Sequence, residues 1–581
     1  MRDAVDERHI AERPDVDLVV GHVSPIRALF GPSQELRLVD SPSVGKRADE
    51  VVAQVLAIPS RVGFDVRPDV LGVELVECRN RLGLGHLVPS RRNFGHPDRV
   101  REEDRDLSPD SDRSLLSESG GFVQPAGTTL DRMEAISAVV TTGIYCRPGC
   151  SARPKAENVR TFPLAAAAEA AGYRACLRCR PYRSQQALAW SGPELVCRAV
   201  QLILDGALDG GTEAQLGARL GVSARHLRRL FTTHLGVTPD GLARSARAHF
   251  ARRLLDDTEL TITEIAFASG FGSVRQLNRA CRDLFRMSPR MLRARRRAAD
   301  RLVADGGLFL RLPFHGPLDW DTMVAYFAAR AIPGVEHGSG TTYRRTIVVD
   351  GDPGVLELSP GDDDHLVLRA HLPHWEELIH LVERARRIAS LDFDLDEPTR
   401  HLAGDSFIGP LLRARPGLRA PGTWDPFETG VRAIIGQQIS VAAANAITGR
   451  LVDRLGVPVP GLGRLGLTHA FPSAEALTSA DLTGLGLTRG RAEAIRSFAG
   501  AVAEDAVRLD RSVSLERLIA SLTSIEGVGP WTAHYLALRL GEPDACPTGA
   551  GEVAERWRPW RALATTHLWM ADGSQVGRAA A

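Results

Sequence analysis

Four of the eight cysteines in this 581-residue chain form two close pairs whose spacing suits metal chemistry. Cys146 and Cys150 make the first pair, and Cys176 and Cys179 make the second after 25 intervening residues. Two such pairs can converge on one tetrahedral Zn²⁺. The other cysteines are scattered along the chain: Cys78, Cys197, Cys281 and Cys546. This distribution argues against a secreted disulfide scaffold and predicts one zinc ion, held by the four clustered thiols.

The spacing alone leaves open what such a zinc ion does. A closed four-cysteine shell is typical of a purely structural zinc ribbon. A zinc-bound thiol is also deprotonated outright, so a clustered cysteine can act as a thiolate nucleophile without a general base. The pattern therefore fits either a structural site or an activated thiolate.

The residues around the cysteines favour the activated thiolate. Segments 141–150 (TTGIYCRPGC) and 172–181 (GYRACLRCRP) closely resemble the N-terminal domain of Ada-type methyltransferases, over about residues 129–185. In that family the first cysteine irreversibly accepts a methyl group from a methylphosphotriester of the DNA backbone, and this residue corresponds to Cys146. Four thiolates on Zn²⁺ leave two uncompensated negative charges, and methylating one sulfur removes one of them. The resemblance thus implies that methylation raises the affinity for DNA.

Two helix-turn-helix patterns follow within a basic part of the chain. Residues 141–300 hold 26 Lys and Arg against 13 Asp and Glu, which indicates a polyanion-binding region or a solvated charged face. Segment 213–231 (EAQLGARLGVSARHLRRLF) places Gly221 in a turn and Ser223 at the start of a second helix, and segment 265–285 (IAFASGFGSVRQLNRACRDLF) repeats this pattern. Arg, Gln and Asn can read base edges in the major groove. The predicted DNA-reading residues lie on the two second helices: Arg225, Arg228, Arg229, Arg275, Gln276, Asn278 and Arg279.

The two copies together resemble the AraC-type DNA-binding domain, over about residues 195–298. Segments 236–239 (GVTP) and 287–289 (MSP) stand where that family ends each unit. In Ada-type proteins this domain directly follows the zinc module, as it does here. The resemblance implies that damage sensing is coupled to binding of promoter DNA.

A third DNA-binding pattern lies near the C-terminus. Segment 522–533 (LTSIEGVGPWTA) is typical of a helix-hairpin-helix, in which Gly527 and Gly529 let backbone N–H groups approach a DNA phosphate. Such a hairpin contacts the DNA backbone and not the bases. By itself it is compatible with a generic non-specific DNA-binding element.

The surrounding segments resemble AlkA-type 3-methyladenine glycosylases, over about residues 308–575. They are 427–440 (FETGVRAIIGQQIS), 555–562 (ERWRPWRA) and 567–569 (HLW). The resemblance implies a small sheet domain ahead of the hairpin, and it allows a monovalent cation at the hairpin. Aromatic side chains suit an alkylated base, because ring methylation makes the base cationic. The residues assigned to the base pocket and to the wedge that enters the base stack are Gln437, Gln438, Trp531, Tyr535 and Trp569.

The chain departs from this family at the catalytic position. Family members carry an Asp four residues after an aromatic residue that follows the hairpin, and then a further helix. Here the segment 544–557 reads DACPTGAGEVAERW, so Ala550 occupies the matching position and only a few residues remain where a helix of a dozen or more belongs. Glu552 is the nearest carboxylate that could substitute. The sequence therefore predicts a poor glycosylase.

The local patterns predict the elements that position these residues. Seven short helices are expected between Gly192 and Arg297. Alternating segments 341–349, 355–358 and 366–369 predict a small antiparallel sheet, with a helix near 374–389. Past Pro416–Gly417 and Pro421–Gly422 the chain is expected to be helical to its end. The predicted fold class is multidomain and mainly α, with a small α+β zinc domain, a tandem helix-turn-helix, a small antiparallel sheet domain and an all-α helix-hairpin-helix glycosylase domain.

Composition agrees with several globular domains, since the apolar fraction is 44% and the charged fraction is 25%. No apolar run approaches the roughly 18 residues of a membrane span and no signal peptide pattern opens the chain, so we expect a cytoplasmic, nucleoid-associated bacterial protein without a membrane partner.

The predicted segments are 1–128, unassigned, either a disordered arm or an upstream extension of the reading frame; 129–190, an Ada-like zinc methyl-acceptor domain; 191–300, an AraC-type helix-turn-helix domain; 303–415, an AlkA-like N-terminal α+β domain; and 420–581, an apparently shortened helix-hairpin-helix glycosylase domain.

Together the patterns predict a DNA-alkylation repair protein that also regulates transcription. Its expected partners are double-stranded, alkylated and promoter DNA, with RNA polymerase as a further candidate. The alternative from another class is a damage-responsive transcription factor whose glycosylase-like domain has lost its chemistry. A disrupted gene whose product scarcely folds at its C-terminus would also explain the lost helix.

Overall fold

The computed structural model describes residues 136–183, 193–297, Leu302, 307–362, 364–547 and 551–571. The unassigned segment 1–128 and Ala550 lie outside the described residues. Along the described chain, no helix combines the length and the apolarity that crossing a bilayer requires.

The cysteine-bearing region is a four-stranded sheet with one short helix. Its elements are β1 (Ile136–Val139), β2 (Ile144–Cys146), β3 (Val159–Phe162), α1 (Ala165–Ala170) and β4 (Arg174–Ala175). The strand order is β3-β1-β2-β4, and β2 and β4 are parallel. Because parallel strands end at the same edge of a sheet, the residues that follow β2 and β4 lie side by side.

The basic region is all helical. Its elements are α2 (Glu194–Leu204), α3 (Glu213–Arg219), α4 (Ala224–Leu235), α5 (Pro239–Asp257), α6 (Ile262–Ala268), α7 (Val274–Phe285) and α8 (Pro289–Ala294). The seven expected helices are thus present. The turns α3–α4 and α6–α7 each contain a glycine at φ +74°, Gly221 and Gly270, a conformation that other residues rarely adopt. The second helix of each unit is capped at its N-terminus by a serine hydroxyl, that of Ser223 or Ser273.

A five-stranded antiparallel sheet follows. Its elements are β5 (Leu308–Pro313), α9 (Trp320–Ala329), β6 (Glu336–Ser339), β7 (Thr342–Val349), β8 (Asp352–Pro360), β9 (His365–His371) and α10 (Leu378–Ile388). The order is β5-β9-β8-β7-β6, so the three predicted strands form the middle and the two outer strands were not predicted. The edge strand β6 (EHGS) carries no apolar alternation, and pairing with β7 alone defines it.

The C-terminal region is helical except for a two-stranded ribbon. Its elements are α11 (Asp396–Leu402), α12 (Ile408–Ala414), α13 (Pro426–Ile435), α14 (Val441–Leu455), β10 (Val457–Pro458), β11 (His469–Ala470), α15 (Ala474–Thr478), α16 (Arg489–Ala503), α17 (Leu515–Thr523), α18 (Pro530–Arg539) and α19 (Arg561–Ala571). In its core the rings of Phe427 and Phe498 stack at 5.7 Å. A Cβ at Gly430 would come within 2.3 Å of the Phe498 ring, so this glycine allows α13 and α16 to pack closely. The predicted multidomain, mainly helical fold class is confirmed.

Buried and half-buried ion pairs join these regions. Arg345 on β7 donates to Glu428 on α13 at 2.5 Å, which fixes the sheet against the helical region. Asp209, between α2 and α3, contacts both Arg247 on α5 and His380 on α10. The helix-turn-helix region therefore packs directly on the sheet domain.

Candidate metal centre, DNA-reading helices and base pocket

The four clustered cysteines converge on one point. Cys146 ends β2, Cys176 follows the parallel strand β4, and the turns after each bring in Cys150 and Cys179. The four Sγ atoms all lie within 4.8 Å of one another. Zn–S bonds of about 2.3 Å in a tetrahedron separate the sulfurs by roughly 3.8 Å, so the cluster has the dimensions of a zinc site.

The electrostatics of the cluster also call for a cation. Burial and the neighbouring Cys176 raise the pKa of Cys146, and burial raises the pKa of Cys179 to about 12. Burial has the same tendency at Cys176, but the backbone N–H groups of Cys179 and Arg178 outweigh it and lower the pKa of that thiol. Thiols packed this closely cannot all ionise by themselves, whereas a divalent cation stabilises four thiolates. The donor set fits Zn²⁺, as predicted.

The sequence patterns did not point to Glu169, a buried carboxylate that contacts the residue before Cys146. The hydroxyl of Tyr145, the residue before Cys146, donates to Glu169 on α1 at 2.6 Å. Ser245 and His249 on α5 contact the same carboxylate. The zinc module is therefore anchored on the helix that joins the two helix-turn-helix units.

The predicted DNA-reading residues differ in how freely they are presented. Arg225, Arg275 and Arg279 are exposed. Arg228 is exposed but pairs with Glu213 at 2.5 Å. Arg225, Arg275 and Arg279 can therefore contact bases without first leaving an ion pair with another described residue.

The other predicted readers make local contacts. Arg229 lies 3.1 Å from the His226 ring. The Gln276 side chain accepts from the backbone N–H of Gly272 at 3.0 Å, and Asn278 donates to the carbonyl of Val274 on its own helix at 2.9 Å. A bidentate base contact through both ends of the Gln276 or Asn278 amide requires giving up the local hydrogen bond.

The helix-hairpin-helix is formed by α17, residues 524–529 and α18. Gly527 has φ +84°, and a Cβ there would lie 2.6 Å from the Cβ of Ala494. Gly529 is the N-cap of α18, with open space where a Cβ would point. A phosphate can therefore approach the first N–H groups of α18.

The two glutamines of the wedge segment have separate environments. Gln437 donates to the carbonyl of Gly527 at 2.9 Å and to the Thr532 hydroxyl at 3.1 Å. Its amide thus braces the hairpin. Gln438 is exposed, with a left-handed backbone at φ +60°.

Three aromatic side chains form the candidate base pocket. Trp531 and Tyr535 stack at 5.3 Å with an interplanar angle of 8°, and Trp569 lies 6.0 Å from Tyr535. The Tyr535 hydroxyl accepts from Arg539 at 2.9 Å. Burial alone would raise the pKa of Tyr535, but Arg539 and Arg330 outweigh burial and lower it to about 8. The three rings offer aromatic faces, on which a cationic base can stack.

The carboxylates nearest to the shortened segment are already engaged or lie in solvent. Asp544 accepts from Arg561 at 2.7 Å and also contacts Arg558. Glu555 accepts from Arg558 at 2.7 Å, and Glu552 is exposed. The hydroxyl of Tyr535 contacts Tyr326 and Arg539, and among the described residues no carboxylate hydrogen-bonds to it.

Comparison with known proteins follows the same order along the chain. Four protein-family models match: the metal binding domain of Ada at 132–182, a helix-turn-helix domain at 216–295, the AlkA N-terminal domain at 309–425, and the HhH-GPD superfamily of base excision DNA repair proteins at 431–575.

Curated relatives cover the same regions. A Mycobacterium tuberculosis protein named "Probable bifunctional transcriptional activator/DNA repair enzyme AlkA" is 38% identical over 75% of this chain and 92% of its own length. DNA-3-methyladenine glycosylase 2 of Escherichia coli is 33% identical over 46% of this chain and 99% of its own. The bifunctional transcriptional activator/DNA repair enzyme Ada of Escherichia coli is 35% identical over 23% of this chain and 36% of its own.

The order of the four matched regions and the nearly full-length mycobacterial relative identify the chain. It belongs to the family of bifunctional DNA-alkylation repair proteins in which an Ada-type zinc module and an AraC-type helix-turn-helix domain are fused to an AlkA-type DNA glycosylase.

Proposed function

We propose that Cys146 is the residue that removes methyl groups from methylphosphotriesters in DNA. The observation that carries this proposal is the convergence of four Sγ atoms within 4.8 Å, with Cys146 at the end of a strand. A bound zinc ion supplies a thiolate at neutral pH. The Cys146 sulfur attacks the methyl carbon, the C–O bond to phosphate breaks, and the phosphodiester leaves as an anion while the C–S bond forms.

The methylated protein is then the transcriptional activator. Loss of one negative charge from the zinc centre reduces its repulsion of the phosphate backbone, so duplex affinity rises after methylation. Arg225, Arg275 and Arg279 are the proposed base readers, since they are exposed on the second helices. Arg228, Arg229, Gln276 and Asn278 complete the predicted reading surface.

The C-terminal region is proposed to bind alkylated DNA and to hold a flipped base. Gly527 and Gly529 would contact phosphate, Gln438 would enter the base stack, and Trp531, Tyr535 and Trp569 would stack on the cationic base. Gln437 would support the hairpin through its bond to Gly527.

The proposal also includes a cation, a protein partner and the domain boundaries. A monovalent cation at the hairpin carbonyls and a contact with RNA polymerase would complete the repair and activation functions. Both functions act on DNA, so the protein would work at the bacterial nucleoid. The proposed domains are 129–190, 191–300, 303–415 and 420–581, and 1–128 has no assigned role.

The methyl-acceptor assignment is tested by incubating the zinc-loaded protein with duplex DNA that carries methylphosphotriesters. The peptide containing Cys146 should gain the mass of one methyl group. Transfer to Cys150 would overturn the assignment. A Cys146→Ser variant should accept no methyl group.

A second candidate function is a regulator whose glycosylase-like region only binds damaged DNA. It is favoured because Asp544 and Glu555 are held by arginines, while Glu552 is exposed. Excision of 3-methyladenine from alkylated DNA by the purified protein separates the two candidates. Release at the rate of an intact family member would reject the binding-only candidate.

A further inference from the structure

The strand that ends at the methyl acceptor is joined to the DNA-reading region by one buried carboxylate. The Glu169 side chain is 2% exposed. Its Oε1 accepts from the Tyr145 hydroxyl at 2.6 Å and lies 2.6 Å from Nε2 of His249. Its Oε2 accepts from the Ser245 hydroxyl at 2.6 Å. Both carboxylate oxygens are thus shared between the zinc module and α5.

Such a carboxylate holds its partners firmly. Burial alone would raise the pKa of Glu169, but His249 and the two hydroxyls outweigh burial and lower it, so the side chain is charged. Removing one donor from a buried charged acceptor is costly, because no water replaces it. The relative position of β2 and α5 is therefore fixed by specific bonds as well as by apolar packing.

The helix at the other end of this contact orients both DNA-reading units. The helix α5 directly follows α4, the second helix of the first unit, and precedes α6 and α7 of the second. Its buried side chains include Phe250 and Leu254, which belong to the same core as Leu277 and Phe285 of α7. A displacement of α5 at Ser245 or His249 would change how α4 and α7 are presented to DNA.

We propose that Glu169 is a positioning residue that transmits methylation of Cys146 to the helix-turn-helix pair through Tyr145, Ser245 and His249. This inference rests on the proposed role of Cys146 as methyl acceptor. Methylation changes the charge and the bonding of the sulfur one residue beyond Tyr145, and the Tyr145 hydroxyl passes any movement of the end of β2 to α5. Methylation thus changes DNA affinity by reorienting the readers, in addition to the electrostatic gain at the zinc centre.

The same interface offers a matched control. The Tyr182 hydroxyl donates to Asp256 on α5 at 3.1 Å. Tyr182 lies in a separate 3-10 turn, Pro181–Arg183, and not on β2. Tyr145→Phe and Tyr182→Phe therefore each remove one hydroxyl bonded to a buried acid across this interface, but only Tyr145 precedes the methyl acceptor.

The test uses the full-length zinc-loaded chain, either unmodified at Cys146 or methylated to completion by methylphosphotriester DNA. Affinity for one short duplex and amide hydrogen exchange of α5 are measured in both forms. In the parent protein methylation should tighten binding and change exchange in α5. Tyr145→Phe should lose most of both methylation-dependent changes, whereas Tyr182→Phe should keep them. Full retention in Tyr145→Phe, or equal loss in the two variants, would overturn the proposal.

A failure of the methyl-acceptor assignment gives a different result. In that case mass spectrometry finds no methyl group on Cys146 of the parent protein. The coupling is then judged in the resting protein, where Tyr145→Phe and His249→Gln both act on Glu169. Their effects on exchange in α5 should be non-additive, and additive effects would overturn the coupling by itself. Ser245→Ala, which removes the third bond to Glu169 from the α5 side, replaces either variant that fails to fold.

Discussion

The four-cysteine cluster and the aromatic base pocket are the two proposed sites for alkylated DNA, and they differ in what their chemistry needs. At the cluster, the proposed nucleophile and the other three metal-binding thiols come from 34 consecutive residues, Cys146 to Cys179. At the pocket, Trp531, Tyr535 and Trp569 form the proposed stacking surface. The carboxylate that glycosylase chemistry needs is expected from the shortened segment 544–557. A site whose binding and chemistry share the same atoms is kept or lost as a whole. A site that divides them can lose chemistry and retain binding.

The largest expected effect is loss of zinc from the cluster. Replacing Cys176 and Cys179 together by alanine removes half of the ligand set, and structural zinc sites contribute about 10–16 kcal/mol of apparent binding free energy at neutral pH. Metal analysis should fall from one zinc per chain to none. Cys197→Ala, outside the cluster, should keep one zinc. Zinc retained by the double variant would show that the metal lies elsewhere.

The next effect concerns the pocket. Breaking an N-glycosidic bond builds positive charge on the sugar, and preorganised electrostatic stabilisation of such charge is worth roughly a hundredfold to a thousandfold per group. Combining Ala550→Asp with a family-length helix before Glu555 should therefore raise 3-methyladenine release by about that factor. Binding to DNA that contains an abasic site should change little. A parent protein that already matches the restored one would mean that Glu552 or another carboxylate carries the reaction.

A smaller effect distinguishes free from paired arginines on the DNA-reading helices. Arg275→Ala should cost about 1–3 kcal/mol on the preferred promoter and relax sequence preference, if Arg275 contacts a guanine bidentately. Arg228→Ala should cost less, because Arg228 must first leave Glu213. Affinities for a set of duplexes at one salt concentration provide the measurement. Equal losses on every sequence would show that Arg275 contacts phosphate alone.

The smallest effect concerns the contact between Asp209 and His380, which joins the helix-turn-helix region to the sheet domain. Burial alone would lower the pKa of His380, but the hydrogen bond to Asp209 outweighs burial and raises it. Burial alone would raise the pKa of Asp209, but His380 and Arg247 outweigh burial and lower it. Because the pKa of His380 is raised, the protonated ring stabilises the folded protein fully below the ordinary histidine pKa of about 6.5. This contribution is lost as pH rises through the raised pKa. Ionised Asp209 contributes stability above the ordinary aspartate pKa, and this contribution is lost as pH falls through its lowered pKa.

The thermal midpoints of the parent protein and of His380→Gln should therefore differ most in mildly acidic solution, by an amount equivalent to about 1 kcal/mol or less, and should converge as pH rises. Arg387→Gln is the matched control, because Arg387 pairs with Asp205 across the same interface. Its difference from the parent should not change over that range. A pH-independent difference for His380→Gln would exclude the histidine as the titrating group.

The sequence by itself determined the motifs whose residues lie close together along the chain. Cysteine spacing predicted the four-cysteine cluster, Gly221 and Ser223 predicted a turn and a capped helix, and the hairpin glycines predicted the turn between α17 and α18. The central strands β7, β8 and β9 followed from alternation. Each of these signals is a conformational or chemical preference expressed within a few residues, so no knowledge of the packed chain is needed to detect it.

Tertiary structure alone decided which distant residues serve these motifs. Glu169 meets Ser245 and His249 across 76 and 80 positions, and Arg539 donates to Tyr326 across 213. It also decided that Arg228 pairs with Glu213, whereas Arg275 has no ion pair among the described residues, and that Gln437 hydrogen-bonds to the hairpin. These contacts join charged or polar residues with no periodic pattern around them. Their partners are set by how the helices and sheets pack, and that packing depends on the apolar surface of the whole chain.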